Sequence, residues 1–367
     1  MDIQSVDTYS IAVPLHTPFK TALRTVTVAE SIFVKVTCTD GTIGWGEAPP
    51  THVITGESLA SIKYTIESIL KPAILGKRLV ERERLFESLH YAVVGNTSAK
   101  AAVDMALYDC LSQMCSLPLY QFLGGYHESI ETDYTVSVNE PDQMAADASQ
   151  YVANGFNVLK IKVGKDDIEK DIKRIGAIRE RVGQDPLIRL DANQGWSVKE
   201  SIYAIRKMED LNFDIELVEQ PVIAHDIQGL KQVKDHTFTP IMADESVFSV
   251  QDAKRILQTE SADLINIKLM KAGGIDQALK INQLAEAHGI PCMVGSMIET
   301  KVGISAAAHF AASQKNITRF DFDAPLMLAE DPLDGGIDFQ GRHISFSAKN
   351  GLGITTIRLE RILSQQT

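Results

Sequence analysis

Two lysines one residue apart end an apolar run, Val158-Leu159-Lys160-Ile161-Lys162-Val163, which stops at Gly164. A strand alternates its side chains between faces, so Lys160 and Lys162 project from the same face, where two ammonium groups need anions opposite them. Three later apolar runs each end in a carboxylate: Asp191 after Leu187-Ile188-Arg189-Leu190, Glu219 after Ile215-Glu216-Leu217-Val218, and Asp244 after Ile241-Met242-Ala243. Another run, Leu264-Ile265-Asn266-Ile267, ends in Lys268. Three carboxylates gathered at one end of a sheet repel one another unless a cation neutralises them, and an all-oxygen donor set favours a hard divalent ion, most simply Mg2+. With that charge offset, Lys160, Lys162 and Lys268 make the pocket positive and suit it to an anion that bridges to the metal.

A carbon held by its carboxylate on such an ion has Lys162 on one side and Lys268 on the other, because the second and sixth strands of an eight-stranded barrel face each other across it. Two opposed bases fit racemisation or epimerisation. The chemistry requires loss of a proton next to a carboxylate, giving an enediolate whose added charge needs cations nearby. A lysine base must first be neutral, so its reference pKa of about 10.4 has to fall towards roughly 7 to 8 through desolvation and a cationic neighbour. Lys160 is that neighbour for Lys162; for Lys268 the counterpart is less clear, since Lys271 lies beyond the strand end.

The elements that position these groups follow from spacing. Apolar runs begin near 158, 187, 215, 240, 264, 291 and 318, and each interval is the length of a strand, a crossover helix and two loops. With Tyr134-Thr135-Val136-Ser137-Val138 as the first, there are eight strands, which predicts an α/β fold of the (β/α)8 type with its last helix displaced or altered. Between the runs at 158 and 187, Ile168, Ile172, Ile175 and Val182 recur at helical spacing. Residues 1–125 read instead as strands followed by helices, an α+β capping domain, with the barrel over 126–325 and a tail over 326–367 that packs back on the cap. Two loops of the cap, Pro18 to Arg24 and Pro49 to Gly56, can reach over a neighbouring domain.

A net charge of −12 over 367 residues argues against nucleic acid or an anionic membrane as partner, and part of that charge belongs to the cation site. Four cysteines without CxxC spacing suit a reduced protein without structural zinc. The Met1-Asp2-Ile3-Gln4 start carries no basic-then-apolar leader, and no run approaches the roughly 18 apolar residues of a membrane span, so a cytoplasmic location is expected. Homo-oligomerisation is expected as well.

The motifs Lys160-Ile161-Lys162, Asp191-Ala192-Asn193, Glu219-Gln220-Pro221, Ala243-Asp244-Glu245-Ser246, Asn266-Ile267-Lys268 and Gly295-Ser296-Met297-Ile298-Glu299-Thr300 resemble those of the enolase superfamily, in its muconate-lactonizing subgroup and there the dipeptide epimerases of the L-Ala-D/L-Glu type. The resemblance runs along essentially the whole chain. It implies Lys162 and Lys268 as the acid/base pair, Lys160 as an electrostatic helper, and Asp191, Glu219 and Asp244 as ligands of one Mg2+, with Mn2+ as a possible substitute. The eighth strand, Phe320-Asp321-Phe322-Asp323, puts two carboxylates on one face, which suits a substrate ammonium and matches the Asp-x-Asp motif of those epimerases. Arg24 resembles the arginine that pairs with the side-chain carboxylate of the second residue in Glu-selective members, and Thr135, Ser296 and Ile298 are implied as further substrate contacts. The expected substrate is therefore a small dipeptide, L-Ala-L-Glu or a relative.

Each assignment has a plainer counterpart. Single Lys and Asp residues at strand ends are usually solvated, and only their joint placement argues otherwise. Arg24 as a surface or interdomain ion pair carries even weight. His309 reads as a helix-packing residue, Glu245 and Glu299 as hydrogen-bonding supports, and Gly273-Gly274 as a turn rather than a phosphate cradle. Other reactions on the same machinery remain open, such as N-acylamino-acid racemisation, o-succinylbenzoate synthesis or β-elimination, as does a non-catalytic binding barrel.

Overall fold

A computed structural model describes residues 1–358; the end of the expected tail, 359–367, lies outside them. The chain opens with an antiparallel sheet of β1 (Ile3–Lys20), β2 (Thr25–Cys38) and β3 (Ile43–Ala48). β1 and β2 form a long hairpin whose tip holds Thr21, Leu23 and Arg24, and Gly41 at φ 88° turns β2 into β3. The helix Thr97–Met114 lies almost against β3, because Gly44 and Gly46 have no side chains: a Cβ on Gly46 would stand 1.9 Å from Ala102 O. Asp109 of that helix accepts a hydrogen bond from the Trp45 amide (3.0 Å), tying helix to strand.

After β4 (Ser129–Glu131) come eight parallel strands in sequence order: β5 (Tyr134–Val136), β6 (Val158–Lys162), β7 (Leu187–Asp191), β8 (Ile215–Glu219), β9 (Ile241–Ala243), β10 (Leu264–Ile267), β11 (Cys292–Val294) and β12 (Ile317–Phe320). The first and last edges meet through the Asp133 amide on Phe320 O (3.3 Å) and the Phe322 amide on Thr132 Oγ1 (2.8 Å), which curls the sheet into a barrel. Leu217, Met242, Leu264 and Met293 form a separate buried cluster, set apart from the larger one between strands and helices, as inward alternation requires. The helix Ile168–Val182 buries Ile172, Ile175 and Ile178 and starts at Asp167, whose side chain accepts from the Lys170 amide. The eighth strand is followed by a short 3-10 turn, Ala324–Met327, where a barrel helix would otherwise stand.

The tail supplies β13 (Leu333–Gly335), β14 (Asp338–Gln340), β15 (His343–Ser345) and β16 (Ile354–Ile357). β13 pairs with β16, and β14 and β15 extend β4. The tail also reaches the N-terminal segment: the Leu119 amide donates to Gly351 O, the Leu352 amide to Asp109 Oδ1, and the Ala329 amide to Pro14 O. Among the described residues no helix is long and apolar enough to cross a membrane.

Candidate active site

The C-terminal ends of the barrel strands bring the expected lysines and carboxylates together. Lys160 and Lys162 leave β6 on the inward face, and Asp191 and Glu219 end β7 and β8. Lys160 Nζ touches three carboxylates: Glu219 Oε2 at 2.7 Å, Asp321 Oδ2 at 2.8 Å and Asp191 Oδ2 at 3.1 Å. Lys162 Nζ lies 2.6 Å from Asp191 Oδ2, and Lys268 Nζ lies 2.6 Å from Asp244 Oδ2. All of these side chains are buried. Asn266 donates to Glu219 Oε1, and Gln220 Oε1 accepts from the Asp244 and Ser246 amides, so adjacent strand ends hold one another in register. Asn193, Gln194 and Gln220, just beyond β7 and β8, adopt φ of 42°, 69° and 38°; such left-handed non-glycine backbone concentrates at functional sites.

Charge decides the protonation pattern. Burial pushes Asp191 up, but Lys162, Lys160 and Lys268 outweigh it and hold the carboxyl at about 2. Asp244 is likewise held far below the carboxylate range: burial opposes this, and Lys268 and Lys271 prevail. Glu219 is raised to about 7 by burial and Asp191, Glu245 to about 8 by burial and Asp244, and Asp323 to about 7 by burial and Asp321. At Lys268 the expected fall in the pKa of a base lysine is not what this ion-paired arrangement produces. Burial lowers Lys268, yet Asp244 and Glu219 more than compensate and raise it; Lys160 is raised in the same way by Asp321, Glu219 and Asp191.

The hairpin tip and the loop after β3 close over this floor. Arg24, Thr135, Ser296, Ile298, Asp321 and Asp323 all line the pocket, together with Lys160, Lys162 and Lys268. Asp191, Glu219 and Asp244 sit behind it and reach it through the lysines. Arg24 is partly buried and desolvation lowers its pKa; among the described residues no carboxylate pairs with its guanidinium. Asp323 Oδ2 accepts from the Thr135 amide at 2.6 Å, and Ser296 Oγ donates to Asp321 O at 3.4 Å, which makes both residues neighbours of the acidic pair. Phe19, Val53 and Ile54 also line the pocket, with the Phe19 ring 5.9 Å from Lys162 Nζ. Sequence reading marked their loops but not these residues, because an apolar loop residue gives no signal until something polar is placed beneath it. Lys271, passed over as lying beyond its strand, stands on Asp244.

The supporting residues behave as read. Asn193 Nδ2 donates to Glu245 and the Met297 amide to Glu299. His309 Nδ1 accepts from the Tyr120 amide at 2.9 Å, and its ring packs against Phe346. At Gly273-Gly274 the anion is already supplied by the protein: Asp104 Oδ1 accepts from the Ile275 amide.

A divalent cation fits this floor by donor chemistry. Asp191, Glu219 and Asp244 supply oxygen only, from adjacent strands, and Asn193 Oδ1 and Glu245 Oε2 are buried there with no hydrogen-bond partner. As they stand, however, the carboxylates turn to lysines, and among the described residues no three His, Cys, Asp or Glu side chains are spaced as a ready metal cluster. Like charges facing buried ammonium groups at 2.6–3.1 Å take that arrangement for electrostatic reasons.

Comparison with known proteins agrees with the geometry. Residues 143–359 match the enolase C-terminal domain-like family, and residues 3–124 match the mandelate racemase / muconate lactonizing enzyme N-terminal domain. The L-Ala-D/L-Glu epimerase of Bacillus subtilis (strain 168) is 63% identical over 96% of this chain and 97% of its own. The structure of a substrate-liganded complex of the Bacillus subtilis enzyme superposes with a TM-score of 0.97, covering 97% of this chain and 99% of that one. A dipeptide epimerase from Enterococcus faecalis V583, complexed with Mg and L-Leu-L-Tyr, is 46% identical over 97% of this chain and 100% of that chain, with a TM-score of 0.94. Barrel, capping sheet and clustered charges at the strand ends thus coincide with full-length similarity, and the chain belongs to the mandelate racemase and muconate lactonizing enzyme family of the enolase superfamily.

Proposed function

We propose that this protein is a Mg2+-dependent dipeptide epimerase that inverts the C-terminal residue of L-Ala-L-Glu. The observation that carries the substrate assignment is a polarity across the pocket: Asp321 and Asp323 on one wall and, on another, Arg24, which meets no carboxylate among the described residues. A zwitterionic dipeptide with an acidic second side chain satisfies both, its ammonium on the aspartates and its side-chain carboxylate on the guanidinium. An N-acylated amino acid would bring no ammonium to this wall, where Asp321 pairs with Lys160 but Asp323 has no lysine of its own among the described residues.

In this reading Lys162 and Lys268 exchange the α-proton. One, as a neutral amine, takes it from the α-carbon while the electron pair moves into the adjacent carboxylate; the other, as an ammonium, returns a proton to the opposite face. Supporting this reading, β6 and β10, which carry them, stand four strands apart in an eight-stranded barrel. Asp191, Glu219 and Asp244 would hold Mg2+, which supplies positive charge to the substrate carboxylate as density moves onto it. Lys160 adds a fixed positive charge beside Lys162, Thr135 and Ser296 orient the acidic pair, and Ile298 with Phe19 and Val53 excludes water. The division into a cap (1–125), a barrel (126–325) and a tail from 326 belongs to the same reading, because the cap carries Arg24 and the barrel the lysines. So do a cytoplasmic location and self-association.

The apolar lining of Phe19, Val53, Ile54 and Ile298 favours a second substrate class, dipeptides ending in a hydrophobic residue. One experiment separates them: α-proton exchange in deuterated water with Mg2+, followed by NMR, for L-Ala-L-Glu beside L-Ala-L-Leu and a cationic dipeptide. Deuterium at the Glu α-position together with L-Ala-D-Glu supports the proposal, and Arg24→Leu should then lower kcat/KM for L-Ala-L-Glu by roughly 10- to 100-fold while sparing L-Ala-L-Leu. Preferred exchange of L-Ala-L-Leu favours the hydrophobic class, and absence of exchange in every dipeptide overturns both.

A further inference from the structure

A fourth lysine stands at this end of the barrel, outside the pocket lining. Lys271 lies on the short helix Leu269–Ala272 and is 1% exposed. Its ammonium donates to Val247 O (3.0 Å), to Asn266 O (3.1 Å) and to Asp244 O, and it lies 2.6 Å from Asp244 Oδ1. The Phe248 ring covers it at 5.6 Å. A buried ammonium is tolerated only when its protons are used and its charge is met. Here the partners come from two places, the segment just after β9 and the end of β10, so the lysine ties one strand end to the next.

The arrangement mirrors the other side of the site. Lys162 and Lys160 share Asp191 Oδ2 at 2.6 and 3.1 Å; Lys268 and Lys271 share Asp244, one on each oxygen, both at 2.6 Å. Each candidate base therefore shares a carboxylate with a second lysine. The difference is that Lys160 also lines the pocket, whereas Lys271 touches only protein.

We propose that Lys271 is a positioning residue for Lys268: by standing beside the Asp244 carboxylate and joining the carbonyls of residues 244, 247 and 266, it fixes the strand end from which Lys268 reaches the substrate. Its influence then falls on one face of the α-carbon. The proposal rests on the two-base reading above.

The test is α-proton exchange with retention, measured by NMR in deuterated water at saturating Mg2+ from each epimer separately. Wild-type protein must exchange both; if it does not, the two-base reading fails before Lys271 is reached. Lys268→Ala identifies which epimer depends on Lys268. Lys271→Met, similar in length and uncharged, is expected to weaken exchange from that same epimer by roughly tenfold or more, as loss of a residue supporting a reactive group does, and to leave the other within about threefold. Lys271→Arg, which keeps the charge, should recover part of the loss. Equal loss from both epimers overturns the proposal, as does an unchanged rate from both. If Lys271→Met does not fold, Lys271→Gln is read the same way; failure of both to fold assigns Lys271 to stability alone and also overturns it.

Discussion

The two ends of the barrel both bury ionic groups, and they do so on opposite terms. At the N-terminal end Arg189 bridges Asp133 (2.8 Å) and Glu216 (2.6 Å), and Arg319 holds the other oxygen of Glu216 at 2.7 Å, so two guanidinium groups meet two carboxylates. At the C-terminal end Lys160, Lys162, Lys268 and Lys271 face Asp191, Glu219, Asp244, Glu245, Asp321 and Asp323, four cations against six acids. The excess of acids raises the groups that lack a dominant lysine: Glu219, Glu245 and Asp323 rise to about 7, 8 and 7, by burial first and neighbouring carboxylates next. Asp133 marks the boundary, because burial and the charge of Asp321 raise it despite Arg189. A balanced network serves the fold. An unbalanced one keeps room for a cation and a charged ligand.

That contrast can be broken first at the upper end. Lys162→Ala and Lys268→Ala are each expected to lower epimerisation by about 10^2- to 10^4-fold, the usual contribution of a general acid or base, with an unchanged far-ultraviolet circular dichroism spectrum. Retained turnover in either variant would remove that lysine from the reaction. At the lower end the outcome should invert. Glu216→Ala leaves Arg319 without its carboxylate and Arg189 with one fewer, and urea unfolding should show a loss of roughly 3 kcal/mol, below that of a fully dry pair, while kcat per folded molecule stays within about twofold.

Adding the cation sharpens the comparison further. Mg2+ at about 100 times its Kd should raise stability by about 2.7 kcal/mol in wild-type protein and by much less in Asp244→Asn, with differential scanning calorimetry as the check. A further effect, confined to acid pH, belongs to a site that lies at neither end. Burial holds the His309 imidazole at about 3, well below its unfolded value, so the folded state binds fewer protons. Stability is then level above about pH 6.5 and falls below it by about 1.4 kcal/mol per pH unit until pH nears 3. Protonation of Nδ1 would also sever its bond from the Tyr120 amide. His309→Gln should flatten that part of the stability profile whatever its effect at pH 7.

Much of the architecture was legible because barrel strands are short, inward-facing and regularly spaced. The runs ending at Asp191 and Glu219 match strand ends residue for residue, and the run through Val163 overshoots β6 by one residue, since side-chain alternation and the glycines and polar residues that stop a strand are both local properties. Asp321 and Asp323 were legible as a pair, but β12 ends at Phe320, so both lie in the segment just beyond the last strand and not within it. The fit of the hairpin tip was not. Phe19 and Arg24 enter the pocket because β1 and β2 pair over a long register that carries their turn across the barrel mouth, a distance set by the docking of Thr97–Met114 on Gly44 and Gly46. Lys271 was set aside for lying past its strand, yet a helical turn folds it back onto Asp244.

The sequence by itself determined which residue types reach the strand ends, the order of the strands and the surplus of acids among them, because these follow from periodicity and composition. Only the tertiary structure decided which lysine shares which carboxylate, that Arg24 has no carboxylate partner among the described residues, and that the surplus sits at one end of the barrel and not at the other. Those outcomes depend on distances between residues far apart in the chain, and electrostatic energy in a buried site changes steeply with each ångström of separation.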